Sequence, residues 1–325
     1  MDFSNRNFVI ATDFLCADGH NDVSDAIQNL IDTNPNRTIF FPDGVYLLSK
    51  PILTSSDNEK SVDLALSNFA RFLAAPDWDS GEAMVRLGAK DGVNSLAPGS
   101  NYGLTGGIID GNGVAKGVSI DGGRETRIQN VDIKNASVGL HIQYGANNGS
   151  SDADIMNVNV TGNGKRDSVG VLIEGFDNTL TNMRIAGVFT GVVVKSGGNM
   201  LRNIHPLLYM NDAAKADYEN TAGFRILNPM NWFDYCYSDQ YSTGFETTGG
   251  GVFKNCFCWW YSGEEKAHIA FRSAGPFIGS VDTLVIGGKS HPESENCFAP
   301  EGTQFLGAVS GVVSVLEDGT AVRVM

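Results

Sequence analysis

The sequence predicts an all-β solenoid, a fold in which short strands recur at a fixed period and stack on one another. The first observation is a glycine–apolar pair that recurs six times, at intervals of 22, 31, 21, 32 and 21 residues. Periods of about 20 to 50 residues are typical of solenoids. The second observation is that the first and third residues after each glycine are apolar almost throughout, which is the pattern of a strand with one buried face. The pairs are Gly117-Val118, Gly139-Leu140, Gly170-Val171, Gly191-Val192, Gly223-Phe224 and Gly244-Phe245.

A second repeat, of asparagines and one aspartate, runs in step with the glycine pairs. We predict that its members form an internal ladder at the bend between two strands, where stacked amides bond from rung to rung. This interpretation gives Asp234 a structural place and not a catalytic one. The members are Asn130, Asn157, Asn182, Asn203, Asp234 and Asn255.

The N-terminal 50 residues predict a helix followed by the first strands. A helix is expected over 22–31, after the cap candidates Asn21 and Asp22, and strands over 38–41 and 45–48. The helix would cover the end of the solenoid, whose terminal rung otherwise exposes its core. The apolar residues at helical spacing are Val23, Ala26, Ile27, Leu30 and Ile31.

Composition limits the partners and the domain count. The net charge of −14 and the pI near 4.7 argue against a nucleic-acid partner and make a strongly anionic polymer less suitable as a substrate. No linker interrupts the repeats. We therefore predict a single β-helix domain over 1–325, with an N-terminal cap and first strands in 1–50, regular rungs in about 100–275, and C-terminal rungs or a cap in 276–325.

Cysteine usage and hydropathy suggest a compartment. Five cysteines without a framework spacing predict buried thiols, with Cys256 and Cys258 at alternate positions of one strand. No further ligands stand at zinc spacing, so we predict neither a metal nor a cofactor. No stretch approaches about 18 apolar residues, and the start lacks a signal-peptide pattern. We expect no membrane partner and a cytoplasmic location, although a virion component would look the same.

Two motifs resemble a known family. Residues 22–52 are similar to the opening of pectate-lyase-3-type proteins of the pectin lyase-like superfamily, and residues 106–113 resemble a GxIDGNG turn common in that superfamily. The resemblance implies a right-handed parallel β-helix and a carbohydrate substrate. It leaves the reaction open, because such folds include lyases, hydrolases, transferases and phage tailspikes. The Asp-Asp and Gly-His-Gly signatures of polygalacturonases are missing. Trimeric relatives with interfacial sites make a homotrimer compatible with the resemblance.

Outward side chains of stacked strands form columns, and insertions that leave the strands at one corner would form a wall along one side of these columns. Long insertions are expected near 161–168, 205–222 and 259–267, each just before a glycine-anchored strand or the strand expected at 268–272. Insertions on one face of a repeat protein often mark the binding side. The first column is Ser119, His141, Leu172, Val193, Arg225 and Glu246, and the second is Asp121, Gln143, Glu174, Lys195, Leu227 and Thr248.

Glu246 is the carboxylate we expect to perform chemistry in this groove, with Arg225 on the preceding rung. Glu174 and Glu246 are three rungs apart, about 14 Å at roughly 4.8 Å per rung. Paired carboxylates of glycosidases are about 5 to 9.5 Å apart, so a partner acid must come from the loops. Asp217 and Glu264 are the favoured candidates. Two surface ion pairs without catalytic function are an equally acceptable interpretation.

The remaining candidates bind substrate. Trp259, Trp260 and Tyr261 would stack on sugar rings, or alternatively pack under the third insertion. Lys195 and Glu174 would orient the substrate, and His141 joins them from the first column. The predicted function is a glycoside hydrolase or glycosyl transferase, fructosyl transfer included, acting on a neutral or weakly charged oligo- or polysaccharide. A polysaccharide lyase, with Lys195 or Arg225 as base, and a non-catalytic glycan-binding tailspike or adhesin are the alternatives.

Overall fold

The computed structural model describes residues 8–90, 102–144, 150–260, 267–275, 278–281, 284–288, 295–298, 304–305, 312–315 and 321–324. The chain divides into two compact units, Met1–Asn163 and Gly164–Met325, called here the N-terminal and C-terminal units. In each unit, short strands pair in parallel from one turn of the chain to the next, as in a β-helix. The single domain expected over 1–325 stays a prediction.

The N-terminal unit contains two long sets of parallel strands. Its anchored strands, which include the first two glycine pairs, are Ile52–Ser55, Ala83–Lys90, Lys116–Ile120 and Val138–Ile142. Its bend strands are Phe8–Ile10, Asp18–Asp22, Arg37–Phe41, Gly44–Leu48, Val62–Leu66, Ala70–Ala74, Gly103–Thr105, Ile108–Asp110, Arg127–Gln129, Asp132–Ala136, Asp154–Met156 and Asn159–Gly162. A small pair, Gly123–Arg124 with Ser150–Ser151, is separate. The helical segments are α1 (Ser24–Thr33) and the 3-10 turns Ala11–Asp13 and Asn58–Lys60.

The C-terminal unit repeats the arrangement. Its anchored strands are Val169–Ile173, Thr190–Val194, Ala222–Ile226, Thr243–Thr247, Ile269–Ser273 and Glu295–Phe298. Its bend strands are Thr179–Ala186, Met200–Leu207, Trp232–Asp234, Tyr237–Asp239, Gly250–Lys254, Cys256–Trp260, Ile278–Val281, Leu284–Gly288, Gln304–Phe305, Val312–Val315 and Ala321–Val324. The helical segments are α2 (Asp212–Ala216) and the 3-10 turn Tyr218–Asn220. The last two strands pair antiparallel, and the other pairings described for this unit are parallel.

Five of the six paired glycines stand where the backbone of the next rung comes close: Gly117, Gly170, Gly191, Gly223 and Gly244. At Gly117, an added Cβ would lie 2.5 Å from Cγ2 of Ile133 and 2.6 Å from the carbonyl oxygen of Gly139. A side chain of any size would therefore force the rung apart. The strands predicted from these pairs are confirmed, and close packing is the physical cause of the period.

Stacked phenylalanines fill the interior of the C-terminal unit. Phe224 and Phe245 stack on successive rungs with ring centroids 4.6 Å apart, and Phe233 and Phe253 do the same at 4.9 Å. All four side chains are at most 1% exposed. Aromatic stacking adds about 0.5–1.5 kcal/mol per pair to the burial of the rings. The apolar residue of the pair therefore supplies the core, as its alternation predicted.

Helix α1 covers an edge of the N-terminal unit, as the capping prediction requires. Its side chain Gln28 accepts a hydrogen bond from the amide of Leu53 (2.8 Å) and donates one to its carbonyl oxygen (3.0 Å). Leu53 lies on Ile52–Ser55, the terminal strand of the anchored sheet. Gln28 thus takes the place of a neighbouring strand at Leu53 and satisfies its backbone N–H and C=O groups. Unpaired groups at a sheet edge can otherwise pair with another chain. The helix begins two residues later than predicted, and Ala26 is exposed, not buried.

The asparagines of the bend form hydrogen bonds along the rungs, but they are not internal. Nδ2 of Asn157 donates to Oδ1 of Asn130 at 3.0 Å, and Asn203 donates to Asn182 in the same way. All four are exposed or half-exposed. Their backbone φ angles are between 53° and 60°, in the left-handed region that asparagine tolerates better than most residues. The prediction of a ladder at the bend is confirmed, and its internal position is wrong.

Asp234 does not belong to this row. The left-handed position at that bend is taken by Tyr235, with φ 54°, one residue further along. Asp234 ends a bend strand, and its carboxylate lies 3.6 Å from Nε of Arg202. The assignment of Asp234 to the ladder is therefore wrong, and its structural role stays a prediction.

A different row of asparagines forms the internal ladder. Asn178, Asn199 and Asn231 are at most 1% exposed. Oδ1 of Asn199 accepts from the amide (3.1 Å) and the side chain (2.9 Å) of Asn178, and Oδ1 of Asn231 accepts from both groups of Asn199 at 3.0 Å. Each residue follows an anchored strand by five residues, at the corner where the chain turns into the bend strands.

The prediction of buried thiols is confirmed for three of the four cysteines whose side chains are described, and it is wrong for Cys16. Cys236, Cys256 and Cys258 are free and buried, and burial raises the pKa of Cys236 and Cys258. Cys16 is exposed. The side chain of Cys297 lies outside the described residues.

Candidate functional site

Two loops of the C-terminal unit meet beside its anchored strands. Asn211 donates from Nδ2 to the carbonyl oxygen of Gly164 (2.9 Å) and accepts from the amide of Ala214 (2.9 Å), which caps α2. Arg166 and Asp217 form an ion pair between the same two loops. Each loop ends just before an anchored strand, so the common corner predicted for them is confirmed. Of the third predicted loop, residues 261–266 lie outside the described residues.

The longer loop has its own small core. Its apolar side chains bury one another and a tyrosine of the following rung, whose hydroxyl donates to the carbonyl oxygen of Val188 at 3.2 Å. The loop is thus a packed wall and not a loose excursion. The cluster consists of Leu208, Ala214, Tyr218 and Tyr241, with Met210 against it.

Glu246 lies between two arginines on the outer face of the anchored strands. The register places Arg225, Glu246 and Arg272 side by side on three successive strands. Oε2 of Glu246 is 2.8 Å from Nε of Arg225, and Oε1 is 3.9 Å from Nη1 of Arg272. The Glu246 side chain is 26% exposed, so one carboxylate is held by two cations and still reaches solvent.

The loop wall touches this column through Asn220. Nη2 of Arg225 donates to the carbonyl oxygen of Asn220 at 3.3 Å, and the side chain of Asn220 donates to Oδ1 of Asp217 at 2.6 Å. Asp217 is therefore connected to the Arg225–Glu246 pair by one intervening residue. Its side chain is 12% exposed and is engaged by Arg166.

The second predicted pair lies further along the same face. Nζ of Lys195 is 2.8 Å from Oε1 of Glu174. Leu172, Val193, Arg225 and Glu246 are aligned on four successive strands, as the first column predicted for this unit. Val193 is only 8% exposed, so this chain itself covers it and no neighbouring subunit is needed for that.

Of the predicted aromatic platforms, the described structure excludes one. Trp260 is 1% exposed, its Nε1 donates to the carbonyl oxygen of Tyr241 (2.7 Å), and its ring stacks on His268. Its role as a sugar-stacking platform is wrong, because strand alternation turns it into the core. Trp259 faces outward, but on a bend strand and not in the Glu246 column. Tyr261 and Glu264 lie outside the described residues.

His141 belongs to the N-terminal unit. It lies on Val138–Ile142 beside Ser119 of the preceding anchored strand. On the same face, Asp121 accepts from Nε of Arg86 at 3.0 Å and from Nε2 of Gln143 at 3.2 Å. The substrate-binding role of His141 stays a prediction.

Two features escaped prediction. Arg272 was not counted in the column because its strand has Ala270-Phe271 where the six predicted strands have a glycine–apolar pair; the spacing of 26 residues from Glu246 was the available signal. A cluster of His205, Tyr237 and Asp239 on the bend strands was also missed. Its signal was period-two alternation after each bend, with Ile204 and Ser238 facing inward.

Among the described residues, no group of three or more His, Cys, Asp or Glu side chains is arranged to hold a metal ion. Within the same residues, no helix combines the length and the apolar character needed to cross a membrane.

Comparison with known proteins bears on the fold. Residues 8–63 match the family model described as rhamnogalacturonase A/epimerase, pectate lyase-like, which overlaps the motif at 22–52. No curated protein sequence matches the chain. An endo-xylogalacturonan hydrolase from Aspergillus tubingensis superposes with a TM-score of 0.62 at 15% identity, covering 94% of this chain and 91% of that one. The fold is a right-handed parallel β-helix.

Other β-helix proteins superpose as well. The tailspike protein of E. coli bacteriophage HK620 gives a TM-score of 0.62 at 13% identity over 95% of this chain and 60% of that one. A mutant of that tailspike is solved in complex with a pentasaccharide. Alginate lyase from Paenibacillus gives 0.52 at 14% identity over 90% and 98%. The chain spans less than two thirds of the tailspike and of a Geobacillus virus protein that also matches.

Proposed function

We propose that this protein is a carbohydrate-active enzyme that hydrolyses or transfers glycosyl units of a neutral or weakly charged oligo- or polysaccharide. The observation that carries the proposal is Glu246, held by Arg225 and Arg272 on an outer β-helix face beside the packed loop 208–221. A partly exposed carboxylate is the group that glycoside chemistry requires. The hydrolase and the lyase described above have the same fold, which supports the proposal of an enzyme.

Glu246 fits the base or nucleophile better than the proton donor. As the anionic member of two ion pairs, it presents oxygen lone pairs and no proton. It would attack the anomeric carbon or accept a proton from the attacking water, while a second acid protonates the leaving oxygen. The proposed proton donors are Glu264 and Asp217, which is connected to the Arg225–Glu246 pair through Asn220.

The cations orient the substrate in this proposal. Arg225 and Arg272 each carry further N–H donors that can bind sugar hydroxyls or a ring oxygen beside Glu246. Lys195 and Glu174, two and three strands away, would bind the next sugar units. About 10 to 14 Å separates these strands from Glu246 at roughly 4.8 Å per strand, which is the reach of two or three sugar units.

A lyase is the second candidate, and the excess of cations on this face favours it. Arg225, Arg272 and Lys195 could neutralise a uronate carboxylate while a base removes the adjacent proton. The net charge of −14 counts against an anionic polymer. A lyase would create an unsaturated uronate, which is detected by its ultraviolet absorbance.

A non-catalytic glycan binder is the third candidate. It is favoured by the fact that Glu174, Glu246 and Asp217 all form ion pairs. In this case the protein would serve as a tailspike-like virion component or an adhesin, with a homotrimer as the proposed assembly.

The test is Glu246→Gln, which keeps the shape of the side chain and removes its charge. We expect turnover on a panel of oligosaccharides, read by chromatography, to fall by at least about a hundredfold. The matched control is Asp234→Asn, which removes a carboxylate paired with Arg202 on a bend strand and should keep full activity. Full activity in Glu246→Gln would contradict the role of Glu246, and glycan binding without any product would favour the third candidate.

A further inference from the structure

A second outward face of the C-terminal unit carries a row of rings on its bend strands. The register aligns Tyr237 with Phe257 and Asp239 with Trp259, while Leu207 lies opposite Asp239. His205 stands two residues before Leu207 and stacks on Tyr237. The residues between them, Ser238 and Cys258 among them, are buried, so the rings face outward. We call His205, Tyr237, Phe257 and Trp259 the aromatic strip.

The rings of the strip are continuous. His205 and Tyr237 stack with centroids 4.0 Å apart and planes 17° apart. Tyr237 meets Phe257 edge to face at 4.9 Å, and Phe257 and Trp259 lie nearly parallel at 6.1 Å. All four are half-buried. On the next strand the register places Gly287 opposite Trp259, and a glycine has no side chain to cover that ring.

Polar atoms in the strip lack partners. Oη of Tyr237 donates to Oδ2 of Asp239 at 3.2 Å, and Nε2 of His205 is 3.6 Å from the same oxygen. Among the described residues, neither Nε2 of His205 nor Oδ1 of Asp239 has a hydrogen-bond partner, although both atoms are buried. Burial, with Asp239 adding to it, raises the pKa of Tyr237, so its hydroxyl stays a donor. Unpaired buried polar atoms are costly, and a ligand hydroxyl would satisfy them.

Apolar ring faces beside an acceptor and a donor match a pyranose. Sugar C–H faces pack on aromatic rings, and sugar hydroxyls both donate and accept. A nucleic acid would need a basic surface. The net charge of the chain is −14, and Arg184, which is aligned with His205 on the preceding bend strand, adds one exposed cation beside the strip. These charges do not form a basic surface.

We propose that the aromatic strip is a second sugar-binding site, which holds a neutral pyranose unit of a glycan on Trp259 and Phe257 with its hydroxyls on Asp239 and His205. The glycan as ligand class rests on the proposed function; the location does not, because the strip lies on the bend strands and Glu246 on the anchored strands. In this proposal the aromatic strip binds the glycan, and Glu246 takes part in the reaction. Trp259 is thereby assigned to binding outside the Glu246 column.

The test uses the full chain with Glu246→Gln as background, so that a bound glycan is not consumed. The protein is screened on an array of neutral oligosaccharides, and the tightest ligand is titrated by calorimetry. Trp259→Ala and the near-isosteric Asp239→Asn should each weaken binding by about tenfold, as the loss of about 1.4 kcal/mol implies. Trp232→Ala is the matched control, because Trp232 is a 42% exposed tryptophan of another bend strand.

A second readout reports the location directly. The indole N–H resonance of Trp259, assigned by its absence in Trp259→Ala, should shift on addition of the ligand, while that of Trp232 should not. Unchanged affinity in both strip variants, a silent Trp259 resonance, or no binding to any neutral glycan would each overturn the proposal. The proposed function is tested separately. It fails if the Glu246→Gln protein, with its aromatic strip intact, keeps the turnover of the unmodified protein.

Discussion

Two rows of asparagines run through the C-terminal unit only four residues apart in the chain, and they exist for different physical reasons. Asn178 and Asn199 are fully buried and bond to each other and to Asn231. Asn182 and Asn203 have left-handed backbones, with φ 60° and 53°, and their amides bond at the surface. The first row needs an amide that both donates and accepts; the second needs a residue that tolerates positive φ. Equal spacing and equal residue type therefore conceal unequal energetic importance.

The buried row also bears on the candidate site. Asn199 donates to Oγ of Ser196 at 3.1 Å, and Ser196 directly follows Lys195. Asn178 stands four residues after Glu174. The buried amides thus stabilise the corner that directly follows Glu174 and Lys195. The exposed row, in contrast, stabilises the bend between the bend strands.

The largest expected effect is that of Asn199→Asp. A carboxylate at this buried position replaces an amide donor and has no cation beside it, which we expect to cost about 3–5 kcal/mol at neutral pH. Burial would raise the pKa of the new carboxyl in the folded state above its unfolded value near 4. The destabilisation relative to the parent should therefore shrink as pH falls from the folded to the unfolded pKa. Unfolding midpoints of both proteins between pH 4 and 8 test this, and a constant difference across that range would argue against a buried charge.

Asn199→Ala comes next. It removes the acceptor of two hydrogen bonds from Asn178 and one of the two donors to Oδ1 of Asn231, the side-chain amide. Lost bonds of buried groups cost about 1–3 kcal/mol, so we expect a loss of about 3 kcal/mol in the free energy of unfolding. Denaturant titration measures it. Asn182→Ala is the control from the other row, and equal losses in the two variants would abolish the distinction between the rows.

We expect Asn182→Ala to lower the free energy of unfolding by about 1 kcal/mol. The left-handed backbone is less favourable for alanine than for asparagine, and one exposed hydrogen bond is lost. Asn182→Gly should be close to neutral, since glycine adopts positive φ freely. The same titrations compare the two, and a glycine variant as unstable as the alanine variant would mean that the amide and not the backbone matters at the bend.

The smallest effect distinguishes the ion pairs from the ladders. Asp25→Asn removes a surface ion pair with Lys50, whose side chains are 83% and 52% exposed. We expect a change within the precision of a thermal melt, because such pairs contribute little in water. A loss comparable to that of Asn199→Ala would show that surface charge and not the buried amides dominates the stability.

Much of the site could be predicted, and its gaps have identifiable causes. Arg225 and Glu246 are the second residues after Gly223 and Gly244, so counting alone aligned them. Arg272 was missed because alanine replaces glycine at the start of its strand. Trp260 was assigned to the surface, although alternation from Cys256 and Cys258 points it inward, where it stacks on His268.

The sequence by itself determined the solenoid, the place of each anchored strand and the column that aligns Arg225 with Glu246. It could do so because successive backbones come close at Gly117 and at four other paired glycines, so glycine recurs there with the period of the rungs. Only the tertiary structure decided which asparagines are buried and how the loop reaches Arg225 through Asn220. Those outcomes depend on a one-residue offset at one bend, where Tyr235 and not Asp234 takes the left-handed position, and on packing between segments distant in the chain. Neither leaves a local pattern in the sequence.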